Sequence, residues 1–176
     1  MMPESHVRLS AGRESMNDMK VPFFAYGRLY DERSLEYRTA IEEACKKGAF
    51  IMQEELREFE DNLASYLGCK HVIGVADGTA ALVFALKSSG VVAGDEVIVS
   101  SHTFIATAAA VKHIGAVPVV CDCLSDSTMC PESAESMITP LTKALMPTQL
   151  NGRIADMKSL SAIANKYDLR IVEDSC

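Results

Sequence analysis

The sequence predicts an α/β fold: a mostly parallel sheet with flanking helices. Three observations predict it. From residue 72 onward, short apolar runs rich in Val and Ile alternate with runs of good helix formers. Strands separated by helices imply crossover connections, and crossovers make a parallel sheet. The apolar runs are bounded by Gly and Asp turn signals and are too short for helices, which suits buried strands. The chain of 176 residues is 48% hydrophobic and 23% charged. That is an ordinary globular composition, enough for a core.

Taken in order, Met1–Lys20 is polar, lacks the apolar region of a signal peptide and reads as a flexible tail. Val21-Pro22-Phe23-Phe24 is a short extended lead-in to a single domain, or part of one, over residues 21–176. Asp31 to Lys47 carries apolar residues at Leu35, Ile41 and Ala44, with Lys46 and Lys47 in its last turn and Gly48 as its stop. It reads as an amphipathic helix. Glu54 to Leu67 repeats the pattern with Leu56, Phe59, Leu63, Ala64 and Leu67 on one side and Gly68 at the end. Both read as surface helices packed on a core.

Val72 to Ala76 reads as the opening strand. Asp77-Gly78-Thr79 turns the chain into a helix over Ala80–Lys87, with Thr79 or Asp77 as N-cap. Glu96–Val99 is a second strand, Thr103–Lys112 a small-residue helix and Val117–Cys121 a third strand. A helix near Ser133–Ile138 precedes a fourth strand opening at Lys143-Ala144-Leu145-Met146. Asp156–Lys166 is a helix capped by Asp156, and Leu169–Val172 is a fifth strand.

Charge and cysteine usage exclude several roles. The net charge of −7 argues against general nucleic-acid or membrane-surface binding. No apolar run approaches the roughly 20 residues that span a bilayer. The six cysteines form no CxxC pair, and His6, His71, His102 and His113 do not stand at zinc-ligand spacing from them. They read as reduced, small hydrophobic residues of a cytoplasmic protein.

In parallel sheets ligands sit beyond the C-terminal ends of the strands. That rule selects Asp77-Gly78-Thr79, then Ser100 to Phe104, Asp122, Gln149 with Asn151 and Gly152, and Glu173-Asp174-Ser175. A strand handing over to a helix through a glycine turn leaves backbone N–H groups at the positive end of the helix dipole. Gly78 and Thr79 therefore make either a phosphate site or a tight connection that binds nothing. A carboxylate at the end of a buried strand needs a partner. Asp174 either caps a following helix or pairs with a cationic ligand atom.

Short motifs run in order from about Val21 to the end. They are Glu55-Leu56-Arg57-Glu58-Phe59-Glu60, Gly78-Thr79-Ala80-Ala81-Leu82, Gly94-Asp95-Glu96-Val97-Ile98 and Thr103-Phe104-Ile105-Ala106-Thr107. Gly115-Ala116-Val117-Pro118-Val119, Gly152-Arg153-Ile154-Ala155-Asp156-Met157 and Val172-Glu173-Asp174 complete the series. In this series the chain resembles the N-terminal half of a DegT/DnrJ/EryC1/StrS family sugar aminotransferase, a fold-type I pyridoxal-phosphate enzyme. The resemblance implies that residues 21–176 are an incomplete cofactor-binding large domain. It implies that Gly78 and Thr79 hold the phosphate of pyridoxal 5'-phosphate and that Phe104 stacks on the pyridine ring, where the plain alternative is a core Phe. Asp174 would pair with the protonated ring nitrogen, keeping the ring an electron sink.

The implied reaction moves an amino group, usually from glutamate, onto a keto sugar carried on a nucleotide, in a homodimer whose subunits share each active site. There are departures as well. The Schiff-base lysine of such enzymes lies beyond Cys176, so the 176 residues alone are expected to be inactive. Gln149 stands where many relatives carry a histidine, Asn151 where an aromatic is common and Gln53 where glycine is usual. The alternatives are a truncated, non-catalytic homologue and a lysine-less dehydratase-like or regulatory relative.

Overall fold

The computed structural model describes residue 22 and residues 24–175. The expected tail over residues 1–20 lies outside the described residues, as do Val21 and Phe23 of the lead-in segment and Cys176. The chain divides into two compact units, Met1–Val72 and Ile73–Cys176.

The first unit is helical: α1 (Tyr26–Glu32), α2 (Ser34–Lys47) and α3 (Glu54–Leu67). The helix expected from Asp31 is broken at Arg33, whose backbone leaves the helical region at φ −131° and ψ 22°. Gly48 and Gly68 end α2 and α3 in the left-handed conformation, with φ of 71° and 67°. A side chain at either position would be strained. Within the first unit these helices do not form the expected core. No residue of α1, α2 or α3 is buried, and Leu35 and Ile41 are 71% and 63% exposed. Periodicity specifies a helix with an apolar side; it does not supply the surface that covers that side.

The expected opening strand is corrected. Val72–Ala76 forms no strand, and among the described residues it joins no ladder. β-Branched residues favour a pleated conformation, but a strand exists only where a run of successive residues pairs with a neighbouring strand. From Asp77 the alternation holds. Helix α4 (Gly78–Ser88) is succeeded in order by strand β1 (Glu96–Ser100), α5 (Ile105–His113), β2 (Val117–Cys121), α6 (Pro131–Ser136), β3 (Thr142–Met146), α7 (Met157–Tyr167) and β4 (Arg170–Ile171). The four strands are all parallel, in the order β2-β1-β3-β4.

The period of two along each strand divides the core between the sheet's faces. Val97 and Val99 of β1 and Ala144 and Met146 of β3 pack with Leu82 and Leu86 of α4 and Ala110 and Val111 of α5. Their neighbours Ile98 and Leu145 pack on the opposite side with Leu160 and Ile163 of α7 and Ala134 of α6. All of these residues are buried. Cys121 is buried among the second set, and burial pushes its thiol up to about 12. It is an inert packing group rather than a nucleophile. No helix among the described residues is long and apolar enough to cross a membrane.

Two departures within this unit set the geometry at the strand ends. α5 starts at Ile105 rather than Thr103, because Phe104 is extended at φ −69° and ψ 147°. β4 is only two residues long, but an isolated parallel bridge between Thr148 and Asp174 carries the pairing of β3 and β4 further.

Candidate functional site

From β1 the chain moves outward to β2, then returns to the other side of β1 to lay down β3. This reversal of direction between β1 and β3 opens a crevice beyond the C-terminal ends of the strands. A cavity of about 360 Å³ lies there. It is lined from α4 by Gly78, Thr79 and Leu82, from the segment after β1 by Thr103, Phe104 and Ala106, from the segment after β3 by Thr148 to Gly152 in part, and by Asp174. The volume suits a small organic ligand.

Each candidate side chain is set in place by its local structure. Asp77, extended at φ −164°, is the N-cap of α4, and its carboxylate accepts from the Ala80 N–H at 2.8 Å. Thr79 is therefore free of the capping role that the sequence left open between the two. The first N–H groups of a helix have no partner within it, so those of Gly78 and Thr79 are available at the cavity. Phe104 lines the same cavity with its side chain 74% exposed. It is not a core Phe. Its extended backbone holds the ring at the cavity's lip, one residue before α5 begins.

Asp174 is buried, at 5% exposure. Its backbone is held on the end of β3: its N–H donates to the Pro147 carbonyl at 3.0 Å, and its carbonyl accepts from the Gln149 N–H at 2.8 Å. Its carboxylate Oδ2 accepts from the Thr107 hydroxyl at 2.5 Å. It does not cap a described helix.

Gly78, Thr79, Phe104 and Asp174 thus line one cavity. Other residues singled out by position do not. Asp122 is exposed, and its N–H donates to the Ser133 hydroxyl oxygen. Gln149 is a brace: its side-chain nitrogen donates to Glu173 at 2.8 Å and its oxygen accepts from the Ala155 N–H at 2.8 Å. It ties the segment after β3 to the start of α7 and the end of β4. Two residues were missed, Thr107 and Thr148. Thr148 closes β3 and was within reach of the strand-end rule. Thr107 carried only a weaker signal, its spacing of four from Thr103 on a helical stretch. Among the described residues no cluster of His, Cys, Asp and Glu could hold a metal ion.

The arrangement offers N–H donors for an anion at one wall, a buried carboxylate at another and an aromatic ring at the lip. The model of the DegT/DnrJ/EryC1/StrS aminotransferase family matches residues 32–176. The chain belongs to this family. It is 41% identical over 157 residues to the dTDP-3-amino-3,4,6-trideoxy-alpha-D-glucose transaminase of Streptomyces venezuelae, a match covering 89% of this chain and 41% of that one.

Two solved structures of the family superpose on the fold. The crystal structure of S. venezuelae DesV in complex with a ketimine intermediate gives a TM-score of 0.84 at 41% identity, covering 88% of this chain and 42% of that one. NtdA from Bacillus subtilis with bound cofactor PMP gives 0.85 at 35% identity, covering 89% and 37%. The 176 residues span about 40% of the length of such relatives. The parallel sheet with flanking helices is that of the large domain of fold-type I aminotransferases.

Proposed function

We propose that this chain supplies the cofactor-binding part of a pyridoxal-phosphate-dependent aminotransferase that moves an amino group from glutamate to a keto sugar nucleotide. The observation that carries the reading is the convergence of Gly78, Thr79, Phe104 and Asp174 on one cavity. The residues present fit the cofactor chemically. Its phosphate is suited by the N–H groups of Gly78 and Thr79 and the Thr79 hydroxyl at the positive end of α4. The ring is suited by the open face of Phe104. A protonated ring nitrogen is suited by Asp174, a buried carboxylate that a cation compensates.

When bound, pyridoxal 5'-phosphate would supply the electron sink for amino transfer between the donor and the keto carbon of the acceptor. Glutamate leaves as 2-oxoglutarate, and the keto sugar leaves as an amino sugar. This chain's residues bind and orient: Gly78 and Thr79 anchor, Phe104 covers one face and Asp174 holds a proton on the ring nitrogen. No lysine is among the residues lining the cavity. The protein works in the cytoplasm as a homodimer that shares its active sites between subunits. The relatives named as sugar transaminases support the acceptor class.

The test is transamination by the full-length protein. L-glutamate and a panel of nucleotide-linked keto sugars are supplied with pyridoxal 5'-phosphate, and 2-oxoglutarate is measured. Release of 2-oxoglutarate that depends on both the sugar and the cofactor is expected. Cofactor binding without amino transfer to any sugar would favour the non-catalytic alternative.

A further inference from the structure

A row of three threonines stands behind Asp174. The Thr148 hydroxyl donates to Thr103 Oγ1 at 3.0 Å, Thr103 and Thr107 are bonded hydroxyl to hydroxyl at 2.7 Å, and Thr107 donates to Asp174 Oδ2 at 2.5 Å. The residues come from three separate places, the end of β3, the turn before α5 and the first turns of α5. Thr107, Thr148 and Asp174 are buried, Thr107 completely.

A hydroxyl has a single proton to give. Thr107 spends its proton on the carboxylate, so it must accept from Thr103. Thr103 has then spent its own and accepts from Thr148. All three O–H bonds point the same way, toward Asp174, and such aligned chains polarise one another in a buried setting. The backbone bonds to Pro147 and Gln149 fix where Asp174 starts, but not the plane of its carboxylate. The terminal torsion of Asp is broad and two-fold. A hydrogen bond to the carboxylate itself sets that plane, and Thr107 supplies one.

We infer that Thr107 is a positioning residue: at the head of the Thr148–Thr103–Thr107 chain, it fixes the plane of the Asp174 carboxylate so that it meets the cofactor's ring nitrogen. The inference rests on the proposed role of Asp174 toward that nitrogen, and it adds Thr107, which is not among the residues lining the cavity. Thr107 acts through Asp174 alone. Its loss therefore removes a preference for the nitrogen and leaves the phosphate anchor as it was.

The experiment compares two probes, pyridoxal 5'-phosphate and its 1-deaza analogue, in which CH replaces the ring nitrogen. Their dissociation constants are measured on full-length wild-type protein, Thr107→Val and Thr107→Ser. Wild type should bind the natural cofactor more tightly than the analogue. Thr107→Val, of nearly the same shape, should weaken the natural cofactor about tenfold, as expected for one bond to a charged group, and leave the analogue's affinity unchanged. Thr107→Ser, which keeps the hydroxyl, should restore the preference.

Equal weakening of both probes, no weakening of either, or a Ser variant as poor as Val would overturn the inference. A wild-type protein that does not distinguish the probes would instead overturn the role of Asp174 itself. Should Thr107→Val fail to fold, Thr148→Val carries the test. It removes the donor at the far end; because Thr148 itself lines the cavity, the ratio of the two affinities is read, and a smaller loss of preference for the natural cofactor is expected. An equal loss for both probes, or none, would count against the chain.

Discussion

Thr148 and Asp174 face each other across a parallel bridge that prolongs the pairing of β3 and β4 past their formal ends. The bridge places the Asp174 carboxylate at the cavity wall by backbone hydrogen bonds, which no side-chain exchange at position 174 disturbs. Asp174→Asn should therefore keep the fold, and its amide oxygen can still accept from Thr107. What it loses is charge. Affinity for pyridoxal 5'-phosphate should fall about a hundredfold, the scale of a hydrogen bond to a charged group in a buried site. The melting temperature of the apoprotein should change little. An Asn variant that binds as wild type does would remove Asp174 from the site.

Phe104 separates stability from binding more cleanly. A buried Phe cut back to Ala costs about 3–5 kcal/mol. The Phe104 side chain is 74% exposed, so Phe104→Ala should leave thermal unfolding of the apoprotein almost unchanged. Ligand affinity should fall, because the ring at the cavity lip is a stacking surface. Calorimetric unfolding together with a cofactor titration checks both halves. A large drop in melting temperature would return Phe104 to the core.

Asp77 carries opposing duties. Its carboxylate caps α4 through the Ala80 N–H at 2.8 Å, yet it puts a negative charge beside the N–H groups meant for a phosphate. Asn caps a helix about as well as Asp. Asp77→Asn should therefore hold α4 while relieving the repulsion. Inorganic phosphate, used as the probe, should bind about threefold to tenfold more tightly at low salt. The gain should shrink as ionic strength rises, because exposed charges are screened. Unchanged affinity at low salt would mean that the anion does not sit at this helix end.

These residues also show how far the sequence could be read. Helix ends were legible where a local device sets them: Gly48 and Gly68 stop their helices, and Asp156 caps α7 by accepting from the Ser159 N–H at 3.1 Å. The central strands β1 and β3 were legible because burial on both faces leaves apolar runs. Val72–Ala76 misled because its composition matches such a run while its pairing depends on a neighbour that composition does not reveal. Phe104 and Asp174 were reachable because they follow strands that form, β1 and β4; Gly78 and Thr79 were reachable only through the glycine turn into α4, since the strand expected before it does not form. Thr107 was not, since its importance comes from Asp174, which is 67 positions away along the chain and across the fold.

A contact between α6 and α7 makes a prediction about pH. Lys166 Nζ lies 2.8 Å from Glu135 Oε1, and the Tyr167 hydroxyl donates to the same oxygen at 3.1 Å. The Lys166 bond, with Tyr167 second, holds the Glu135 carboxyl below the usual carboxylate range. The same Glu135 bond raises Lys166 above its ordinary value. A depressed acid stabilises the fold above its unfolded pKa, about 4.3 for Glu, and that contribution is lost as pH falls through the folded value. A raised amine stabilises below its unfolded pKa, about 10.4, and its contribution is lost as pH climbs through the folded value. The pair should therefore contribute between these limits. Both side chains are partly exposed, 63% for Lys166 and 35% for Glu135, so the effect should be small and weaker in high salt. Glu135→Gln should melt slightly below wild type at neutral pH, and the two should converge once Glu135 is protonated in the folded wild type. Melting curves from about pH 3 to about pH 7, a span that brackets the carboxylate range, check this. A gap that stays constant down to the acid end would show that its source is packing between α6 and α7, not the charge on Glu135.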